Sequence, residues 1–432
     1  MPSNARDYAF DLVTAARLPG WGARPAPPRA PADSRDRALG EAIAKTVIKN
    51  LLLLRHATAH YTQRRLRDID APVQIILAIA LAQLRFFDRV PASAAVDEAV
   101  EQAKRKKLGR AAGFVNATLR RAAREPDVPL PSRADAALFA ETVLSHPRDV
   151  FGRFAEWLGV EAALRLCEKN NAEAPIVLRL NEPATPDALL ALAPGVTLVP
   201  HEQARMVVVQ GATERDFAAW AAAGLAQVQD PTSAAVIDHL ALAPGQCVLD
   251  RCCGVGTKTL QMATQVGPAG RVVAIDPAKA RIARLNESLR RRGIEHVQPR
   301  AVGMLDAPAP DGAAAEDETF DRILIDAPCS NSGVIIRRPE ARYRQGVGDL
   351  RSLQNLQHRI IADTLPHLRP GGLLVYSTCS IWPEENDAIA AWIAQQRPDL
   401  ALIDQATTLP AVDADPTRHH DGGFVAVFQR TK

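Results

Sequence analysis

From about residue 234 onward, short apolar runs alternate with helix-period segments, and Gly-rich turns stand where the runs end. The runs fall at 247–250, 271–276, 320–326 and 373–378, with helical segments at 258–266, 277–292, 349–368 and 384–396. Apolar runs this short, bounded by turns and separated by helices, fit strands buried on both faces. The architecture that satisfies them is a doubly wound parallel sheet. Such a sheet binds its ligands beyond the carboxyl ends of its strands, so the residues that close each run are the first to read for chemistry.

The 432 residues allow about three domains at about 100–200 residues each. With 47% hydrophobic and 23% charged residues, the chain has the balance of a soluble globular protein. Its most apolar stretch, 71–84, includes Gln74 and Gln83 and is shorter than the roughly 20 residues a bilayer span needs, so it reads as a buried helix. The first residues mix Asp7, Asp11 and Arg17 into any apolar run and do not read as a secretory signal. Six cysteines without paired CxxC motifs make neither a disulfide framework nor a zinc site, which leads to the expectation of reduced thiols, a cytoplasmic location and no metal.

Residues 35–124 are helical in period throughout, with turn signals at Asp70-Ala71-Pro72 and Val90-Pro91. Pro126, Pro129 and Pro131 mark a linker. Three segments are expected: an all-α unit at 1–130, linker helices with a small α+β piece at 131–235, and the α/β domain at 236–432. Residues 1–130 carry 22 Lys and Arg against 13 Asp and Glu, a net +9, which leaves −6 for the rest of a chain whose total is +3. Lys104, Arg105, Lys106 and Lys107 form the densest run. A basic face of this kind attracts phosphates, although a solvated helix face has the same composition. Arg337, Arg338, Arg342 and Arg344, with Tyr343, form a second basic stretch, read as a loop that grips phosphates or stacks on a base.

Val248-Leu249-Asp250 runs into Arg251-Cys252-Cys253-Gly254-Val255-Gly256-Thr257-Lys258-Thr259 and then a helix. Gly254 and Gly256 are expected to let the backbone approach a ligand closely. The second strand ends in Asp276, an acid placed to accept hydrogen bonds from ribose hydroxyls. A Walker loop would need four residues between its Gly and the Gly-Lys pair, and a dinucleotide fingerprint would need Gly where Thr259 stands. An S-adenosyl-L-methionine site needs only the short Gly-containing turn and the second-strand acid, and fits best.

Asp326-Ala327-Pro328-Cys329-Ser330 closes one strand and Tyr376-Ser377-Thr378-Cys379-Ser380 closes another, so both cysteines are expected at the ligand-binding edge. A lone buried Cys is usually a small hydrophobe. Two at neighbouring strand ends beside a methyl-donor loop suit a specific chemistry. Carbon 5 of a pyrimidine becomes nucleophilic once a thiolate has added to carbon 6, which is covalent catalysis by Cys. Asp326 would stabilise that adduct through the ring edge, and a second thiol would help remove the carbon 5 proton. Pro383-Glu384-Glu385 then reads as a helix start.

The segments Phe320–Ser330 and 371–386, with their two Cys motifs in this order, resemble the RsmB/Sun type of RNA 5-methylcytosine methyltransferases over about residues 145–432. The basic helical front resembles the NusB-like domain of the bacterial small-subunit rRNA members. The resemblance implies a Rossmann-like class I methyltransferase domain behind an all-α NusB-like domain and a small α+β connecting subdomain. It implies Cys379 as nucleophile, Cys329 in product release, and Asp326 as base or cofactor contact. Cofactor contacts would come from Cys252, Cys253, Gly254, Val255, Gly256, Thr257, Lys258, Asp276 and Asp326. RNA contacts would come from Lys104, Arg105, Lys106, Lys107, Arg337 and Arg338. The cofactor would be S-adenosyl-L-methionine, the partner RNA, 16S rRNA first, with neither membrane nor metal, and the protein a monomer. The chain departs from the pattern at Val255 and Thr257 in the Gly-rich loop and at Asn331 after Cys329-Ser330. Near 304, where an acid is expected, it has Met304, with Asp306 close by. A non-catalytic rRNA assembly factor, a tRNA cytosine methyltransferase and a methyltransferase for another substrate are the alternative readings.

Overall fold

The computed structural model describes residues 4–21, 28, 30–303 and 318–431, so Met304 and Asp306 lie outside the described residues. It divides into two compact units. One is Met1–Ala172 with Ile335–Arg344, and the other is Glu173–Val334 with Gln345–Lys432. Residues 131–235 are thus shared between the two units.

In the first unit the described residues form helices α1 (Ala5–Ala15), α2 (Ser34–Lys49), α3 (Leu51–Thr62), α4 (Ala71–Phe86), α5 (Ala92–Arg105), α6 (Ala112–Arg124), α7 (Ala136–Thr142), α8 (Arg148–Leu158) and α9 (Val160–Asn171). The apolar stretch from 71 is α4, started by Pro72 in its first turn and buried from Val73 to Gln83. Its two glutamines are satisfied inside the helical core. Gln74 donates to the Ile69 carbonyl at 2.8 Å and accepts from the Trp21 indole at 3.1 Å, while Gln83 accepts from Arg6 at 3.0 Å. No helix among the described residues is long and apolar enough to cross a membrane.

Ile335–Arg344 belongs to this helical unit, which corrects its reading as an RNA-gripping loop. Arg342 is fully buried and donates to Asn171 Oδ1 at 2.8 Å and to the Leu144 carbonyl at 3.2 Å. The Tyr343 hydroxyl donates to the carbonyls of Ile48 (3.0 Å) and Ser145 (3.2 Å), and Arg344 bonds the Ala16 carbonyl. These side chains satisfy carbonyls left open where helices end, a structural task that takes buried Arg342 out of reach of phosphate, while Arg344 remains exposed. Of the two residues of this stretch assigned to RNA, Arg338 is exposed and Arg337 only partly so.

The second unit opens with a four-stranded antiparallel sheet of order β2-β3-β1-β4, formed by β1 (Ile176–Leu180), β2 (Thr197–Pro200), β3 (Met206–Gln210) and β4 (Ala226–Val228). It carries helices α10 (Pro186–Leu192) and α11 (Glu214–Ala222), and α12 (Pro231–Ala235) leads out of it. The second sheet has seven strands: β5 (Cys247–Arg251), β6 (Arg271–Ile275), β7 (Val297–Arg300), β8 (Phe320–Asp326), β9 (Leu368–Thr378), β10 (Leu400–Thr408) and β11 (Gly423–Arg430), in the order β10-β11-β9-β8-β5-β6-β7. Strands β7, β6, β5, β8 and β9 are parallel, and β11 and β10 close the far edge antiparallel.

The period of two sorts neighbouring strand residues to opposite faces. Leu249, Val273 and Ile323 pack with Ile360 and Ile361 of α15 (Val347–Thr364) and Ile389 of α16 (Asp387–Gln396). Val248, Val272 and Leu324 pack with Leu260 of α13 (Thr257–Val266) and Leu285 of α14 (Lys279–Arg292). Strand order reverses between β5 and β8, so the loops after these two strands part and leave a crevice at the carboxyl edge.

Candidate active site

The carboxyl edge collects the ends of four adjacent parallel strands. From β5 the chain enters the Gly-rich loop with Cys252 at φ +68°, Gly254 at +59° and Gly256 at +88°. Only Gly tolerates such φ without strain, and a Cβ on Gly254 would meet nothing within 4 Å, which leaves open space beside the loop backbone. Gly256 is different. A Cβ there would stand 2.3 Å from Leu285 Cδ1 of α14, so a missing side chain at Gly256 is needed for the loop to pack on that helix. Val255 and Thr257 line a cleft on the side of the small sheet, and Thr257 Oγ1 accepts from Gln227 at 3.4 Å.

At the end of β6, Asp276 is buried, accepting from Gly254 N–H and Arg281 at 3.2 Å each and from Ala278 N–H at 2.8 Å. The loop and the second-strand acid are therefore joined directly, and a carboxylate oxygen with a free lone pair can still accept from a hydroxyl. Cys253 donates its N–H to the Ile275 carbonyl at 2.9 Å. Burial pushes its thiol up, and that of Cys252 to about 12, so both remain uncharged loop packing.

Asp250, at the floor of the crevice, is wholly buried. Its Oδ2 accepts from Thr259 Oγ1 at 2.5 Å and its Oδ1 has no hydrogen-bond partner. Burial raises its pKa to about 7, opposed by the Thr259 bond and aided by the Asp326 charge. A carboxyl with its pKa raised on folding stabilises the native state while both forms are protonated. That contribution is lost as pH climbs from about 4, the ordinary value, to about 7. Over this window wild-type stability should fall relative to Asp250→Asn, by up to about 1.4 kcal/mol per pH unit. Urea unfolding of both proteins across the window tests this, and parallel profiles would reject a protonated Asp250.

Asp326 ends β8, a third of its side chain exposed. Its Oδ2 accepts from Lys258 Nζ at 2.8 Å and its Oδ1 from Ser377 Oγ at 3.0 Å. Burial works against the Lys258 ammonium, but the charges of Asp326, Asp250 and Cys379 outweigh it and raise its pKa. Lys258 therefore bridges the loop to the β8 acid as a fixed cation.

Cys329 and Cys379 follow β8 and β9, and their Sγ atoms lie 3.1 Å apart. The bond to Cys379, and burial after it, hold the Cys329 pKa well above an ordinary thiol's, so Cys329 stays protonated beside its neighbour. Cys379 is only partly buried and also donates to Asn331 Oδ1 at 3.3 Å, while Asn331 Nδ2 donates to the Cys329 carbonyl at 3.0 Å. Asn331, noted in the sequence only as a departure, thus spans both cysteine loops at φ +60°, a conformation Asn tolerates better than most residues.

The sequence pattern predicts a helix start at Pro383-Glu384-Glu385, but α16 begins at Asp387. Glu385 and Asn386, both fully buried, turn back to the cysteine loops instead. Glu385 accepts from Ser330 N–H and Ser380 Oγ, and Asn386 takes the Thr378 hydroxyl at 2.7 Å and donates to the Ser380 carbonyl at 2.9 Å. The signal was present in Pro383-Glu384-Glu385-Asn386, a carboxylate and an amide close behind a Cys motif, but helix-start statistics gave it a simpler meaning.

In the helical unit the basic run at 104–107 is mostly paired. Lys104 meets Glu101 at 2.7 Å, Arg105 meets Asp7 at 2.8 Å and Glu98 at 2.6 Å, and Lys106 meets Asp11 at 2.9 Å and lies over the Phe10 ring. Lys107 and Arg110 are exposed and form no ion pair among the described residues. The cations available to phosphate are therefore fewer than the sequence count suggested.

A reversing parallel sheet with a Gly-rich first loop, an acid on the second strand and a strand-end thiol pair defines a Rossmann-like methyltransferase. Comparison with known proteins agrees. Residues 237–428 match the family described as 16S rRNA methyltransferase RsmB/F, and residues 3–124 match the NusB family. The ribosomal RNA small subunit methyltransferase B of Pseudomonas putida is 33% identical over 390 residues, covering 87% of this chain and 85% of that protein. Its namesake from Vibrio cholerae is 32% identical, covering 92% and 90%. Among solved structures, PH0851 matches with TM-score 0.78 at 22% identity over 92% of this chain and 91% of its own, which shows a shared fold. A methyltransferase homolog protein from Pyrococcus horikoshii matches with TM-score 0.56 at 25% identity over 68% of this chain and 99% of its own. The chain belongs to the RsmB/F family of 16S rRNA methyltransferases.

Proposed function

We propose that the protein methylates carbon 5 of a cytosine in 16S rRNA, with S-adenosyl-L-methionine as donor and a transient bond from Cys379 Sγ to carbon 6 of the base. The observation that carries this reading is the pair of thiols 3.1 Å apart at the ends of adjacent strands. The residues present suit the cofactor. The open face of Gly254 and the buried Asp276 would hold its nucleoside, and Asp326 lies at the same edge. When bound, S-adenosyl-L-methionine supplies an electrophilic methyl group.

The chain's own residues do the rest. A cytosine held in a stem cannot reach the crevice, so the base enters unpaired or flipped. Asp326, fixed by Lys258 and Ser377, accepts from the exocyclic amine at the polar edge of the ring. The Lys258 ammonium beside it offsets the negative charge that spreads onto the ring as the adduct forms. The Cys379 thiolate adds at carbon 6, which makes carbon 5 nucleophilic. After methylation, Cys379 is uncharged while bonded to carbon 6, which relieves the contact that holds the Cys329 proton. Cys329, having given that proton to solvent, takes the carbon 5 proton, the bond to carbon 6 breaks and Cys379 leaves as a thiolate.

Bisulfite sequencing of 16S rRNA from a deletion strain should show one cytosine losing protection, restored by the wild-type gene. In vitro, the purified protein should transfer methyl groups to 16S rRNA from that strain. An unchanged methylation map would defeat the assignment.

A further inference from the structure

A cleft of about 390 Å³ lies within the second unit, between α11 and β4 of the small sheet and α13 and α14 of the methyltransferase fold. One wall is apolar, with Phe217, Val228 and Val255. The other carries Ser288, Arg291 and Arg292 from the last turn of α14. Val228 is 54% exposed and Val255 36%, which leaves apolar surface open to the solvent at the mouth.

Two features inside it lack partners. Asn181 is 3% exposed and lines the cleft, its amide donating to the Gly224 carbonyl at 2.8 Å while its Oδ1 has no hydrogen-bond partner. Arg292 is partly buried and forms no ion pair among the described residues. On β1, Arg179 donates from Nε to Gln229 at 2.6 Å and leaves a buried Nη2 unsatisfied. Burial, then the charges of Arg292 and Arg205, lower the Arg179 pKa to about 10, so these guanidiniums sense one another although Arg205 also meets Glu182 at 3.8 Å. Desolvated like charges and an orphaned acceptor both cost stability unless something fills the gap.

We propose that this cleft holds one unpaired nucleotide of the RNA substrate. Its phosphate would lie against Arg292 and its base against Phe217 and Val228, above a floor that includes Asn181. The chemistry fits one occupant: an anion next to a flat apolar body with polar edges. Stacking of bases on aromatic faces above a cationic rail is how single strands are held without pairing. The two loop residues that depart from the family pattern, Val255 and Thr257, line this cleft, so its occupancy touches the Gly-rich loop from behind. The inference deepens the proposed function, because it takes the substrate to be RNA.

The test uses the full-length protein and a fluorescein-labelled single-stranded RNA of mixed sequence, without methyl donor. Arg292→Glu inside the cleft and Val228→Glu at its mouth should each weaken binding about tenfold. Arg292→Ala should lower the slope of log affinity against log salt by about 0.7, the value for one phosphate contact on a single strand. At saturating 16S rRNA, kcat should be unchanged, with the loss confined to KM. Wild-type affinity and salt slope in all three folded variants would overturn the proposal. So would cytidine monophosphate binding that the variants abolish while RNA affinity stays intact, since the cleft would then serve free nucleotides. If no cytosine is methylated yet the variants still weaken RNA binding, the proposed function fails and this site stands.

Discussion

Cys379→Ala should lower methyl transfer by at least about 10³-fold, as expected when a covalent nucleophile is removed. Cys329→Ala should do something different: form the bond to RNA and fail to release it, leaving a protein–RNA complex that survives denaturing electrophoresis. The structure gives the reason for the asymmetry. Cys379 is the more accessible sulfur, while Cys329 is buried behind it with its proton held by the contact with Cys379 and by burial. In the proposed mechanism Cys379 is uncharged once bonded to carbon 6, so the contact that holds the Cys329 proton is relieved. A sulfur 3.1 Å away can then lose that proton to solvent and take the one on carbon 5. With that sulfur gone, elimination loses its base and the adduct persists. The double variant should form no complex, because the bond needs Cys379. Normal turnover by Cys379→Ala, or a trapped complex in the double variant, would refute the assignment of roles.

The central sheet and the thiol pair were legible because both depend on local pattern. A buried parallel strand must be apolar on both faces, and the residue after it stands at the binding edge whatever the rest of the chain does. Strands β7, β10 and β11 were not read. Strand β7 is four residues long and includes Pro299, tolerated at a sheet edge. Strand β10 is exposed along most of its length and shows no alternation. Strand β11 is apolar, but only a short 3₁₀ turn at Pro416–Arg418 separates it from β10, so it falls outside the strand–helix alternation. The role of Arg342 was hidden for a different reason. Composition marks it as a basic residue among basic residues, and only the tertiary fold brings the Leu144 and Asn171 acceptors around it. The same holds for Gly256, whose partner Leu285 is 29 positions away.

Glu385→Ala should destabilise the second unit by about 2 kcal/mol or more, because the buried Ser330 N–H loses its acceptor and the Gln357 amide and Ser380 hydroxyl each lose one of theirs. The donors are Ser330 N–H at 2.9 Å, Gln357 Nε2 at 3.2 Å and Ser380 Oγ at 2.6 Å. The first follows Cys329 and the last follows Cys379, so one carboxylate sets the spacing of the two sulfurs. The Ser380 hydroxyl is also within 2.9 Å of Ser332 and 3.2 Å of Ser330, and the loops are held as a single network. Glu385 touches no reacting atom, and its effect on chemistry is one of position. At a temperature where the variant is fully folded, kcat should still fall by about 10²-fold, the scale of a misplacement near 1 Å. RNA KM and donor affinity should hold, since their surfaces lie elsewhere. Glu385→Gln keeps the volume and one acceptor but replaces the other with a donor that Ser380 must turn to meet. It should therefore recover most of the stability and only part of kcat. Denaturant midpoints and single-turnover rates for the two variants separate these effects. Wild-type kcat in folded Glu385→Ala would show that the sulfurs keep their spacing without the carboxylate.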